Sequence, residues 1–148
     1  MGVRRKGREL ALQILYQMDA QGDFRPEQIE SFTANFQAVS RPLDFAQGLV
    51  WGMCERLGEI DAYITRASEH FKMSRMPVVD RNLLRLAVYE LIYGRGLNPG
   101  IVLNEAVEIA KKYGSEDTPA FVNGVLDRIL RMVNEERDGG GDGAEKTA

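Results

Sequence analysis

The chain has 148 residues, 44% of them hydrophobic, and a formal net charge of −3, which suits one globular domain or two small subdomains sharing a core. The single cysteine, Cys54, excludes an internal disulfide and a cysteine-based zinc site, and it fits a reducing compartment. The small negative charge argues against a general nucleic-acid coat, and with one histidine, His70, the side-chain supply for metal or acid–base chemistry is thin.

Residues 3–19 predict the first helix, with Leu10, Ala11, Ile14, Leu15 and Met18 on one face. Arg4, Arg5, Lys6 and Arg8 precede the first acid, so they project from the first turn of a docked helix. Positive charge there opposes the helix dipole by some tenths of a kcal/mol per residue. That misfit points to function, with a solvated start that merely aids solubility as the plainer reading. Gly7 adds flexibility, and regular helix is expected from about Arg8.

Gln21-Gly22-Asp23 reads as a turn, after which Pro26 opens a helix carrying Ile29, Phe32 and Phe36 and ended by Arg41-Pro42. A third helix places Ala46, Leu49, Val50, Met53 and Leu57 toward the core and stops at Gly58. The next, short one uses Ile60, Ile64, Ala67 and Phe71. Lys72 to Pro77 reads as the linker between an N-terminal half, 3–72, and a C-terminal half, 78–133, and its brevity predicts that the halves pack together.

Val79 to Tyr93 predicts the central helix of the second half, with Leu83, Leu84, Ala87, Val88, Leu91 and Ile92 as its stripe. Asp80 suits its first turn, while Arg81, Arg85 and Glu90 are expected to point outward. After a loop through Gly94, Gly96, Asn98 and Pro99, a sixth helix carries Val102, Ala106, Ile109, Ala110 and Tyr113, and Gly114 is expected to supply a left-handed cap. In the seventh, Asp117 or Thr118 caps, Pro119 fits the first turn, and Val122, Val125, Leu126, Ile129, Leu130 and Val133 form the buried stripe. Phe121 lies about 100° off that stripe, beside the helix start. It reads as a rim residue of the core or as a stacking platform where backbone N–H groups favour phosphate.

No stretch alternates with the period of a half-buried strand, so the fold is expected to be all-α, about seven helices in two packed subdomains forming one domain over 1–133. The charged, Gly-rich segment 134–148 is expected to be a disordered acidic tail. Its GGDGAEKT end lacks the glycine before the lysine and the flanking strand of a phosphate-binding loop. No catalytic constellation stands out, and no enzyme activity, cofactor or metal is expected. No apolar run approaches the roughly 20 residues of a membrane span, and the basic start leads into charged residues and glutamine, so a cytoplasmic protein is expected.

RRKGRELALQILYQMD, VVDRNLLRLAVYEL and VLNEAVEIAKKYGSEDTPAFVNGVLDRI together resemble the bacterial transcription antitermination factor NusB family. The resemblance is close over 3–19 and 78–130 and extends to helix pattern alone over 20–77. It implies a non-enzymatic RNA-binding protein that pairs with the ribosomal protein NusE, binds the single-stranded boxA element of ribosomal RNA leaders, and helps the elongation complex read through terminators. On that resemblance Arg4, Arg5 and Arg8, with Lys6 among them, contact RNA, Asp117 and Phe121 flank it, and Asp80 faces NusE. Pro119-Ala120 departs from the family by placing no polar side chain between the acidic turn and the aromatic, and the long tail lies outside the family core.

The residues reach part of this unaided, because a basic cluster, an off-stripe aromatic and an exposed helix start are ingredients of single-strand recognition. Two other readings remain: a protein-binding helical module without RNA contact, and a stand-alone relative of the similar domain that fronts some ribosomal RNA methyltransferases.

Overall fold

Leu10, Ala11, Leu12, Ile14, Leu15 and Met18 are all buried, and they anchor the first helix, α1 (Val3–Gln21), on the rest of the chain. The computed structural model describes the backbone of all residues except 1, 35, 37–39, 95 and 148, and the side chains of these except 40 and 140–147. After α1 come a 3₁₀ turn (Pro26–Gln28), α2 (Ile29–Thr33), α3 (Ser40–Glu55) and α4 (Leu57–Ala67). A second 3₁₀ turn (Met73–Arg75) leads to α5 (Val78–Tyr93), α6 (Pro99–Tyr113) and α7 (Thr118–Thr147). Among the described residues there is no strand, and none of the helices is long and apolar enough to cross a membrane.

In the first half α1 packs most extensively on α3, and in the second α6 packs on α7. Between them lies α5, which touches α1, α3, α4, α6 and α7. Ile14, Leu15, Met18, Met53, Ile60, Ile64, Leu84, Ile109, Leu126 and Ile129 form one continuous core through both halves. Each such side chain contributes about 1.5–3 kcal/mol by leaving water.

A helix contacted on so many sides has no solvent face, and this overturns the expectation for its charges. Arg85 and Glu90 are buried, and Arg81 is only partly exposed. Arg85 pairs with Asp61 at 2.9 Å and with Asp19 at 3.2 Å. Arg81 pairs with Asp19 at 2.5 Å, and Asn82 donates to the same carboxylate at 2.8 Å. The end of α1 is thus fastened to the start of α5 by ion pairs.

Several boundaries fall elsewhere than the sequence predicts. Arg41-Pro42 lies in the first turn of α3 instead of ending α2, a position that a residue without an N–H tolerates equally well. Gly58 is inside α4, and the break falls two residues earlier, at Arg56. Phe71 lies beyond α4 and is 59% exposed, so it is not a core residue. Gly7 is buried within regular helix, because a Cβ there would sit 2.4 Å from the Phe45 ring. Its role is close packing of α1 on α3. The α7 helix continues past Val133, where its apolar stripe ends, and Glu136 accepts from Tyr63 Oη at 2.7 Å and Arg66 at 3.3 Å. The opening of the expected tail is therefore held to α4, while its side chains from 140 onward lie outside the described residues.

Candidate nucleic-acid interface

Two surfaces bear on the expected site, the start of α1 and the start of α7. At the first, Arg4 and Lys6 are exposed. Arg5 is about a quarter exposed and donates through Nε and Nη2 to Glu105 on α6. That leaves the Nη1 side of its guanidinium for another anion. Arg8 is different. It donates from Nε to Glu90 at 2.7 Å, from Nη2 to the other Glu90 oxygen at 2.8 Å, and from Nη1 to Glu105 at 3.2 Å. Its side chain is 7% exposed and its guanidinium lies 5.8 Å from the Phe45 ring centre. The Glu90 hydrogen bonds raise the Arg8 pKa above its ordinary value despite burial. Expected at the RNA surface, Arg8 is instead an internal strut joining α1, α5 and α6.

Next along α1, Glu9 is 1% exposed and accepts from Lys112 Nζ at 2.8 Å and Tyr113 Oη at 2.6 Å. Burial works to raise its pKa, and those two hydrogen bonds overcome it, holding the carboxyl below its ordinary value. The clasp joins α1 to the end of α6, immediately before the turn into α7. Arg5, Glu9, Leu12 and Tyr16 share a helical face, so the exposed ring of Tyr16 continues the line from the basic start past Lys112. Sequence reasoning passed over Tyr16; its absence from the apolar stripe was the available signal.

At the second surface, the Asp117 carbonyl accepts the Phe121 N–H at 3.1 Å and begins α7, while its carboxylate is exposed. Phe121 is partly buried and meets Phe71 edge-to-face, with ring centres 5.4 Å apart and planes at 78°. Phe71 and Phe121 thus form a two-ring rim, half in water. Beneath them Thr118 is 1% exposed, and its Oγ1 donates to Asp80 Oδ1 at 2.9 Å. Asp80, expected to face a protein partner, is 5% exposed; desolvation raises its pKa, with the Thr118 hydrogen bond opposing. It lies under the α7 start because α5 and α7 pack against each other at this end. Gly114 has φ −93° and ψ −176°, extended backbone and not a left-handed cap. Glycine is needed because a Cβ would meet the Thr118 side chain at 2.5 Å.

The structure therefore groups Asp117, Thr118, Phe121 and Phe71 at one end of α7 and Arg4, Arg5 and Lys6 at the start of α1. No hydrogen bond or ion pair among the described residues joins the two groups; the Glu9 clasp ties α1 to the end of α6, just ahead of the second group.

The NusB family model matches residues 5–131, spanning both surfaces and every helix from α1 into α7. The chain belongs to the NusB family. It is 45% identical to the transcription antitermination protein NusB of Trichlorobacter lovleyi over 137 residues, covering 92% of this chain and 96% of that protein. The NusB of Geobacter sulfurreducens is likewise 45% identical, over 92% of this chain and 99% of its own length. Among solved structures, T. maritima NusB superposes with a TM-score of 0.75 at 36% identity, covering 86% of this chain and 90% of that one. A NusB crystallised with NusE and double-stranded RNA gives a TM-score of 0.74 at 32% identity, covering 88% and 97%. The family match takes in Arg5, Lys6 and the aromatic rim, and begins one residue after Arg4.

Proposed function

We propose that this chain is a non-enzymatic, RNA-binding transcription antitermination factor which, with ribosomal protein NusE, binds boxA RNA of ribosomal RNA leaders and promotes read-through by RNA polymerase. The observation that carries it is the shared fold with a NusB solved together with NusE and RNA. The exposed cations of α1 supply phosphate contacts, and the rings at the α7 start supply stacking, the two terms from which single-strand binding is built. Arg4, Arg5, Lys6, Asp117 and Phe121 border the RNA in this reading, with Tyr16 and Phe71 as further platforms. Arg8 and Asp80 act from beneath, through the groups they hold. The protein works where transcripts are made, in the cytoplasm.

Few free cations imply modest, salt-sensitive binding alone and a need for a partner's surface. The test is fluorescence anisotropy of a labelled boxA oligonucleotide with this protein, with and without NusE, beside a scrambled strand and a duplex. Tighter binding of the single boxA strand in the presence of NusE is expected. The occupancy of Arg5 and Arg8 by carboxylates favours one rival, a protein-binding module; NusE capture with no RNA retained by the pair would establish that rival instead.

A further inference from the structure

We propose that Thr118 is a positioning residue for the RNA-facing start of α7: its buried hydroxyl, held by Asp80, fixes the turn from which Asp117 and Phe121 project. This rests on the RNA reading above and adds to it a residue that touches no RNA. A hydroxyl offers one hydrogen and two lone pairs, and Thr118 uses all three. It donates to Asp80 Oδ1 at 2.9 Å and accepts from the Ser115 N–H at 3.0 Å. With its proton committed to Asp80, its 3.2 Å contact with Ser115 Oγ is one in which Ser115 donates.

A second, independent observation comes from the backbone on the other side. Any Cβ at Gly114 would lie 2.5–2.6 Å from Thr118 Cβ, Cγ2 and Oγ1. The turn is thus laid directly on the Thr118 side chain, bonded at Ser115 and in van der Waals contact at Gly114. Asp80 gives this assembly a fixed base, since α5 packs against α1, α3, α4, α6 and α7. Among the described residues Asp80 has no ion-pair partner, and Thr118 is the other residue its side chain bonds. One residue before Thr118 stands Asp117, and one helical turn after Asp117 stands Phe121, whose N–H closes the first bond of α7. The platform's orientation is therefore set through Thr118, from below.

The experiment measures boxA RNA affinity, with NusE present, for Thr118→Val, Thr118→Ser, Phe121→Ala and the Thr118→Val/Phe121→Ala double variant, with circular dichroism to establish folding. Stacking on one aromatic is worth roughly 5- to 150-fold in affinity. Thr118→Val, which keeps the shape and loses the hydroxyl, is expected to forfeit most of that factor. The double variant is then no weaker than either single one, and Thr118→Ser binds as the parent does. Full parental affinity in folded Thr118→Val, or a Phe121→Ala penalty that persists undiminished in the double variant, would overturn the inference. If Thr118→Val does not fold, Gly114→Ala tests the same assembly by pushing the turn off Thr118, with the same expected loss and the same overturning result. A parent protein that binds no RNA even with NusE would instead sink the functional reading; a parent that binds while these variants match it sinks only the positioning role.

Discussion

Arg8 and Glu90 face each other as two forks, Nε and Nη2 against the two carboxylate oxygens at 2.7 and 2.8 Å, with both side chains at least nine-tenths buried. Removing Arg8 leaves buried Glu90 without its ion pair, and removing Glu90 leaves Arg8 only Glu105 at 3.2 Å. Breaking a buried pair in this way costs about 3–5 kcal/mol, whereas replacing both partners with apolar groups of similar volume is often near neutral. Arg8→Ala and Glu90→Ala are each expected to lower stability by that amount in urea unfolding. Arg8→Met/Glu90→Leu should recover most of it and keep RNA affinity close to the parent's. A folded double variant that no longer binds RNA would return Arg8 to the RNA surface.

Arg4 and Lys6 should behave in the opposite way. Both are exposed, and neither side chain has a hydrogen-bond or ion-pair partner among the described residues. Replacing each with Ala is expected to change stability by less than about 0.5 kcal/mol while lowering the slope of log affinity against log salt by roughly 0.7 per lost phosphate contact. A salt titration of RNA binding by the two variants reads this directly, and an unchanged slope would mean that the helix start is only solvated.

The aromatic rim gives a third, separable signature. Phe121→Ala is expected to weaken RNA binding by about 1–3 kcal/mol with little change in salt slope. Because the ring is partly buried against Phe71 at 5.4 Å, it should also lower the melting temperature by a few degrees. Phe71→Ala, acting on a ring that is 59% exposed, should cost less stability. Parallel melting and binding curves separate the two effects; unchanged RNA affinity in both variants would assign the rim to the core alone.

Asp19 predicts how the fold responds to acid. Burial works to raise its pKa, but Arg81, Asn82 and Arg85 together bring it below the ordinary 3.8. A depressed folded-state pKa means that the unfolded chain binds the proton first, so this contribution is complete above about pH 4 and fades as pH falls further. Asp19→Ala is expected to cost about 3–5 kcal/mol at neutral pH by leaving Arg81 without its carboxylate. The difference from the parent should shrink below pH 4 in melting experiments. A difference independent of pH would mean that packing, and not the ion pairs, accounts for the loss.

The apolar stripes made the helices legible, because their period is local; Asn98, whose side chain accepts the Gly100 N–H at 2.8 Å ahead of α6, reads from the sequence only as part of a loop. Phe121 could be read as half-buried for the same reason. What could not be read were relationships that local pattern does not encode. Arg8 looks like a free cation until Glu90 is found 82 positions away, and Asp80 looks like a surface acid until Thr118 covers it from 38 positions on. Gly7 misled similarly, since it is demanded by Phe45 pressing from α3, and so did Gly114, which is demanded by the packing of Thr118 across its own turn and not by a left-handed backbone. Phe71 continued a helical period past the point where α4 ends, so spacing alone placed it in a core it never enters.

The Glu9 clasp also bears on synthesis of the chain. Lys112 and Tyr113 follow Glu9 by 103 and 104 positions, so at about 5–20 residues per second a ribosome needs roughly 5–20 s after making α1 before its partners exist. For most of that interval Arg5 and Arg8 also await Glu105 and Glu90, their partners in the finished fold. Completion of α6 supplies the last of these partners, while Arg4 and Lys6 stay exposed in the finished fold.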